Sequence, residues 1–196
     1  MKPIKEKRLV QVLVRIDSIT EFSEVDMDMT VTLTVRMLWN DYRFNLQQLQ
    51  TARKNTSKVV IVPPNIVKKI WVPDLFIEGS KKSFVHVTTK DNTVMRIHDD
   101  GLIEYSTKIT TTLICEMSLR LFPLDVETCY INLQSFAHYK NELDFVWSEL
   151  QSKFIFSNLE LIHAMPKFRL VHFVHTKNER YDIEMAGFDL LASLSF

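Results

Sequence analysis

From position 25 to 37 the chain alternates without a break. Val25, Met27, Met29, Val31, Leu33, Val35 and Met37 take one face, and Asp26, Asp28, Thr30, Thr32, Thr34 and Arg36 take the other. Period two over this length predicts a long, half-buried β-strand of about 40 Å. Shorter strand-like runs follow at 59–62, 83–89, 93–97, 102–113, 128–133, 168–175 and 190–196. Turn signals separate them: Pro63-Pro64, Asp91-Asn92, Asp99-Asp100-Gly101 and Ala186-Gly187. Helical periodicity is weak throughout. Many short strands at regular spacing predict an all-β fold, a twisted antiparallel β-sandwich. No linker rich in Gly, Ser or Pro and no internal repeat breaks the chain, so one domain over residues 1–196 is expected.

Charge and glycine content narrow the function. Lys plus Arg and Asp plus Glu are each 24, so the formal net charge is zero and the basic excess of a nucleic-acid binder is missing. The three glycines, Gly79, Gly101 and Gly187, lie far apart. A phosphate-cradling loop or a dinucleotide fingerprint needs them clustered. Six histidines are present, but no Cys or carboxylate spacing completes a zinc site, and no metal or other cofactor is expected. No Ser-His-Asp constellation or paired-acid motif points to catalysis. Residues 1–16 turn from basic to apolar, but Gln11 and Arg15 interrupt them and no small-residue cleavage site follows, so they do not read as a secretory signal. No window reaches the roughly 18 apolar residues that span a bilayer. The sequence as it stands reads as a soluble piece, compatible with a fragment of something larger. Asn55-Thr56-Ser57 is an N-glycosylation sequon in a polar stretch.

The two cysteines, Cys115 and Cys129, fit one bridge closing a loop of about 15 residues, worth about 3 kcal/mol, and equally fit two buried free thiols. The segment between them carries Phe122-Pro123-Leu124-Asp125. Cysteine, thirteen residues, cysteine, with Phe-Pro-x-Asp in the second half, resembles the hallmark loop of the Cys-loop receptors, the pentameric ligand-gated ion channels. Trp39-Asn40-Asp41 and Trp71-Val72-Pro73-Asp74 are similar to the family's Trp-x-Asp and Trp-x-Pro-Asp. The stretches 81–86, 96–101, 109–112 and 134–136 resemble the GABA-A and glycine receptor branch. The likeness runs from about Leu9 to Phe196.

The resemblance implies an extracellular ligand-binding domain at the outer face of the plasma membrane, with its four transmembrane helices outside this sequence. It implies a Cys115–Cys129 disulfide, whose loop residues Phe122, Pro123 and Asp125 contact the membrane domain and couple binding to gating. It implies an agonist of amino-acid or amine type bound between neighbouring subunits, identical or homologous. The principal face would supply Phe76, Gln134, Ser135, Phe136, Tyr181 and Phe188. The complementary face would supply Thr34, Arg36, Ser106 and Lys108, with Arg36 and Ser106 on the agonist carboxylate. Both halves occur on one chain, so a homopentamer would hold complete sites. Two departures stand out. Gln134 replaces the Glu that usually meets the agonist amine, and Asp189-Leu190-Leu191 stands where a third-loop Arg is expected. Asp182, Glu184 and Asp189 are candidate substitutes for that carboxylate. By resemblance the pore is anion-conducting. The alternative is a secreted, pore-less neurotransmitter-binding protein of the same fold.

Overall fold

The computed structural model describes residues 7–44, 59–118, 120, 127–139 and 141–149, and the backbone alone of 172–179 and 188–195. Its elements are β1 (Arg8–Ser23), β2 (Asp28–Asn40), β3 (Val59–Ile61), α1 (Pro64–Val67), β4 (Leu75–Glu78), β5 (Ser80–Val85), β6 (Thr93–His98), β7 (Leu102–Ile114), β8 (Thr128–Ser135), β9 (Leu143–Trp147), β10 (His172–Glu179) and β11 (Phe188–Ser195). One sheet runs β3-β6-β7-β2-β1-β9, with β5 also paired to β7. Strands β5 and β6 share one edge of β7, against its second and first halves respectively. All pairs in this sheet are antiparallel except β1 with β9. The other sheet runs β10-β11-β8-β4.

A single apolar cluster joins the two sheets. Val10, Val12, Val14 and Ile16 of β1 and Met29, Val31, Leu33, Val35, Met37 and Trp39 of β2 meet Ile77, Cys129, Ile131 and Leu133 of the smaller sheet. The alternation read from sequence is therefore the core face of β2. It begins later than the pattern implied, however. Ser23 Oγ accepts from the Asp26 amide at 3.1 Å and donates to the Asp26 carboxylate at 2.9 Å, closing a turn. Met27 sits at φ +50. Val25 is 90% exposed, so neither Val25 nor Met27 continues the core face.

Strands β1, β4 and β9 were not expected. In β1 Leu13 and Asp17 are buried as well as the even-numbered apolar residues, so its second face is covered in part. Register shifts between Ile16 and Ser18 and between Ile19 and Glu21 then break the period. Strands β4 and β9 are only four and five residues long. The run at 83–89 is shifted: β5 ends at Val85, and beyond it only an isolated Val87–Asp91 bridge forms.

On the outward face of the large sheet β2 and β7 are zipped by hydroxyl pairs, Thr30–Thr112 at 2.9 Å and Thr32–Thr110 at 2.7 Å. Cross-strand hydroxyl pairs of this kind hold register. The Cys115–Cys129 disulfide is formed and joins the end of β7 to the start of β8.

Candidate functional site

The long register of β2 on β7 sets one half of the site. Arg36 lies opposite Ser106 and Thr34 opposite Lys108, so four predicted residues form a compact block on one sheet face. Two carboxylates organise it. Asp17, from β1, accepts from Thr34 Oγ1 at 2.6 Å and from Arg15 Nε at 2.8 Å, and pairs with Lys108 Nζ at 3.3 Å. Burial pushes the Asp17 carboxyl up. The bonds from Thr34 and Arg15 and the charges of Arg15 and Lys108 outweigh it and hold the group below the usual carboxylate range. Glu104, from β7, pairs through Oε1 with Arg36 Nε at 3.1 Å and Arg96 Nη1 at 3.0 Å. Its Oε2 faces His98 Nε2 at 3.7 Å.

In the cluster around Asp17 and Glu104, four cations, Arg15, Arg36, Arg96 and Lys108, meet two carboxylates. A cluster with that local excess is suited to an anion. Thr34 departs from the expected exposed position. It is buried, and its hydroxyl is given to Asp17, so it braces the block from within.

The other predicted half lies on the smaller sheet. Phe76 of β4 is opposite Gln134 of β8, and the Phe76 and Phe136 rings stand 5.9 Å apart at 58°. Both are exposed, Phe136 by 75%. Exposed paired rings offer π faces to a cation. Phe188 opens β11 two residues before the Leu190–Leu133 pair, at the same end of the sheet as Phe76, Gln134 and Ser135.

Asp74 holds this half together. It accepts from Ser135 Oγ at 2.8 Å and from the Ala137 amide at 2.6 Å, and it pairs with His138 Nδ1 at 2.8 Å. Burial raises its pKa. The three bonds and the proximity of His138 outweigh that rise, leaving the carboxyl below its ordinary value. Trp71 stands edge-on to both His138 and Trp39, at 6.0 and 5.9 Å, and Arg8 lies 4.1 Å over its ring. Sequence reasoning assigned no role to Asp74, His138 or Glu104. Trp71-Val-Pro-Asp74 was recognised as a motif, and its aspartate is the brace. His138 was counted only against a metal site. Glu104 carried no signal until the register placed it beside Arg36.

Tyr181, Phe122, Pro123, Asp125 and Asn55 lie outside the described residues, as do Asp182 and Glu184. A cavity of about 300 Å³ opens elsewhere, walled by Arg8, Trp39, Asp41 and Arg43 at the far end of β2. None of the predicted residues lines it. Among the described residues, Arg36, Ser106 and Lys108 lie on the larger sheet, and Phe76, Gln134, Ser135 and Phe136 lie on or just beyond the smaller one.

Sequence comparisons place the chain in a family. A family model described as neurotransmitter-gated ion-channel ligand binding domain matches residues 1–186. Gamma-aminobutyric acid receptor subunit rho-1 of Homo sapiens is 40% identical over 140 residues, 71% of this chain and 28% of that protein. Subunit rho-2 of Mus musculus is 41% identical over 138 residues, 70% of this chain and 28% of that protein. Subunit rho-3 of Rattus norvegicus is 37% identical over 134 residues, 68% and 28% respectively. The chain thus spans 28% of the length of these relatives. Disulfide, β-sandwich and family match converge, and the chain belongs to the neurotransmitter-gated ion-channel ligand-binding domain family, whose members are channel subunits and not enzymes.

Proposed function

We propose that this domain binds an amino-acid agonist of the γ-aminobutyrate type between adjacent subunits at the outer face of the plasma membrane, and that binding opens an anion-conducting pore formed by other parts of the receptor. The observation that carries the reading is the β2–β7 register. It sets Arg36 beside Ser106 and Lys108 in a cluster where four cations meet two carboxylates. A guanidinium fork and a hydroxyl suit a carboxylate, since both donate at fixed geometry. The neighbouring subunit would present Phe76 and Phe136 to the agonist ammonium, each ring worth about 0.5–2 kcal/mol. Phe188 and Tyr181 complete the aromatic wall, and Gln134 and Ser135 line its floor. Gln134 is neutral, so the acidic residues Asp182, Glu184 and Asp189 take the place of a charged partner for the amine. Thr34 acts through Asp17 and Lys108.

Both faces belong to one chain, so identical subunits form complete sites, and the assembly is a homopentamer. The agonist gates by preferring the open arrangement. The Cys115–Cys129 loop, with Phe122, Pro123 and Asp125, passes that preference to the membrane region.

The test is γ-aminobutyrate titration of the receptor carrying Arg36→Ala. A lost charge-assisted carboxylate contact costs about 1.5–3 kcal/mol, so affinity falls at least tenfold. Unchanged affinity in a correctly assembled receptor overturns the reading.

A further inference from the structure

We infer that Glu104 is a positioning residue for agonist recognition: it fixes the Arg36 guanidinium, and so sets the preference for a carboxylate over its uncharged counterpart. The inference rests on the agonist reading above and adds a residue which that reading does not contain.

Glu104 is placed for this by backbone register. It lies opposite Leu38 on β2 and opposite Arg96 on β6, one step along the same face from the Arg36–Ser106 pair. Its side chain is largely buried, 12% exposed. One oxygen, Oε1, takes both arginines, Arg36 from one neighbouring strand and Arg96 from the other. The second oxygen faces His98. A single carboxylate is therefore approached by arginines from both sides, and the hydrogen bond from Arg96 Nη1 at 3.0 Å holds it before any ligand arrives.

The contact with Arg36 is an ion pair at Nε, a buried atom outside hydrogen-bond geometry with Glu104, while a third of the Arg36 side chain remains exposed. The exposed part lies elsewhere on the side chain. A long, rotamer-rich Arg on an open strand loses conformational freedom when a ligand orders it. With the guanidinium already drawn to Glu104 by the ion pair, part of that cost is met before binding, which is preorganisation. A carboxylate beside the anion site also opposes a second anion through space. The two effects have opposite signs, so experiment separates them.

The experiment measures affinity for γ-aminobutyrate and for its methyl ester, which keeps the ammonium but lacks the carboxylate. The receptors compared are wild type, Glu104→Gln, Glu104→Asp, Arg36→Ala and the Arg36→Ala/Glu104→Gln double variant, with surface assembly checked for each. Glu104→Gln is expected to weaken the acid about tenfold and leave the ester within twofold, collapsing the acid-over-ester preference. Glu104→Asp restores part of it. The double variant binds the acid no more weakly than Arg36→Ala alone, because Glu104 acts through Arg36. Tighter acid binding in Glu104→Gln, equal weakening of acid and ester, or full additivity with Arg36→Ala overturns the inference. If Arg36→Ala itself keeps the wild-type acid-over-ester preference, or wild type binds neither compound, the agonist reading falls and the inference falls with it.

Discussion

The two proposed half-sites are built on opposite principles. On β2 and β7 the functional side chains are fixed by one another. Asp17 and Glu104 each collect two cations, and Thr34 is buried to brace the arrangement. On β4 and β8 the functional rings are exposed, and the fixing is done beneath them by Asp74, which ties Ser135, Ala137 and His138 together. Charged groups need that mutual arrangement, because an unmatched charge near the interior is costly. Aromatic rings can stand in solvent, because only their support must be held. The charged half therefore resists change at the side chain, and the aromatic half resists it at the brace.

Breaking the brace has the largest effect on the folded domain. Asp74→Ala removes the acceptor for two hydrogen bonds and the partner of His138, and is expected to cost about 1–3 kcal/mol of stability. Equilibrium denaturation reads this directly, and the same variant should disturb the Phe136 position and weaken the agonist. The loss has a pH signature. Asp74 is held below its usual range when folded. Its contribution is thus fully present above the unfolded carboxylate value, about 3.9, and disappears as pH falls through the lower folded value. Wild-type stability should therefore be flat between pH 7 and 5 and fall below about 4, with Asp74→Asn falling less steeply. Asp17 adds to the same acid slope from the other half.

Phe136→Ala is the milder, sharper probe. With the ring 75% exposed, its removal should leave the melting temperature within a degree or two. It should still reduce agonist binding by about 0.5–2 kcal/mol, the worth of one ammonium–ring contact. A large loss of stability would show that the ring supports the fold and would erase the contrast between the two halves.

Much of this was legible from residues alone, and unevenly so. β2 announced itself because one of its faces is apolar and the other polar, the condition under which period two is visible. β1 is as long but was invisible, since Leu13 and Asp17 are buried on the face that should have read as solvent-exposed, and two bulges reset its parity. The block of Thr34, Arg36, Ser106 and Lys108 could be named by parity within each strand. That Arg36 faces Ser106, and Thr34 faces Lys108, is a fact of register between strands more than sixty residues apart. Glu104 needed the same information. Asp74 was in plain view inside a motif, but what it bonds depends on the approach of β8 to β4, which no local pattern encodes.

The central claim is that the charged half of one chain meets the aromatic half of the next. Co-expression of two variants tests it most directly, one carrying Arg36→Ala and the other Phe136→Ala, each assembling but binding γ-aminobutyrate weakly alone. In mixed rings, about a quarter of the interfaces join an intact aromatic face to an intact charged face. The account predicts that wild-type-affinity binding returns in roughly that proportion, and that a chain carrying both substitutions, mixed with either single variant, restores none. Absence of recovery in verified mixed assemblies would show that the two halves do not meet across an interface, and would contradict the account.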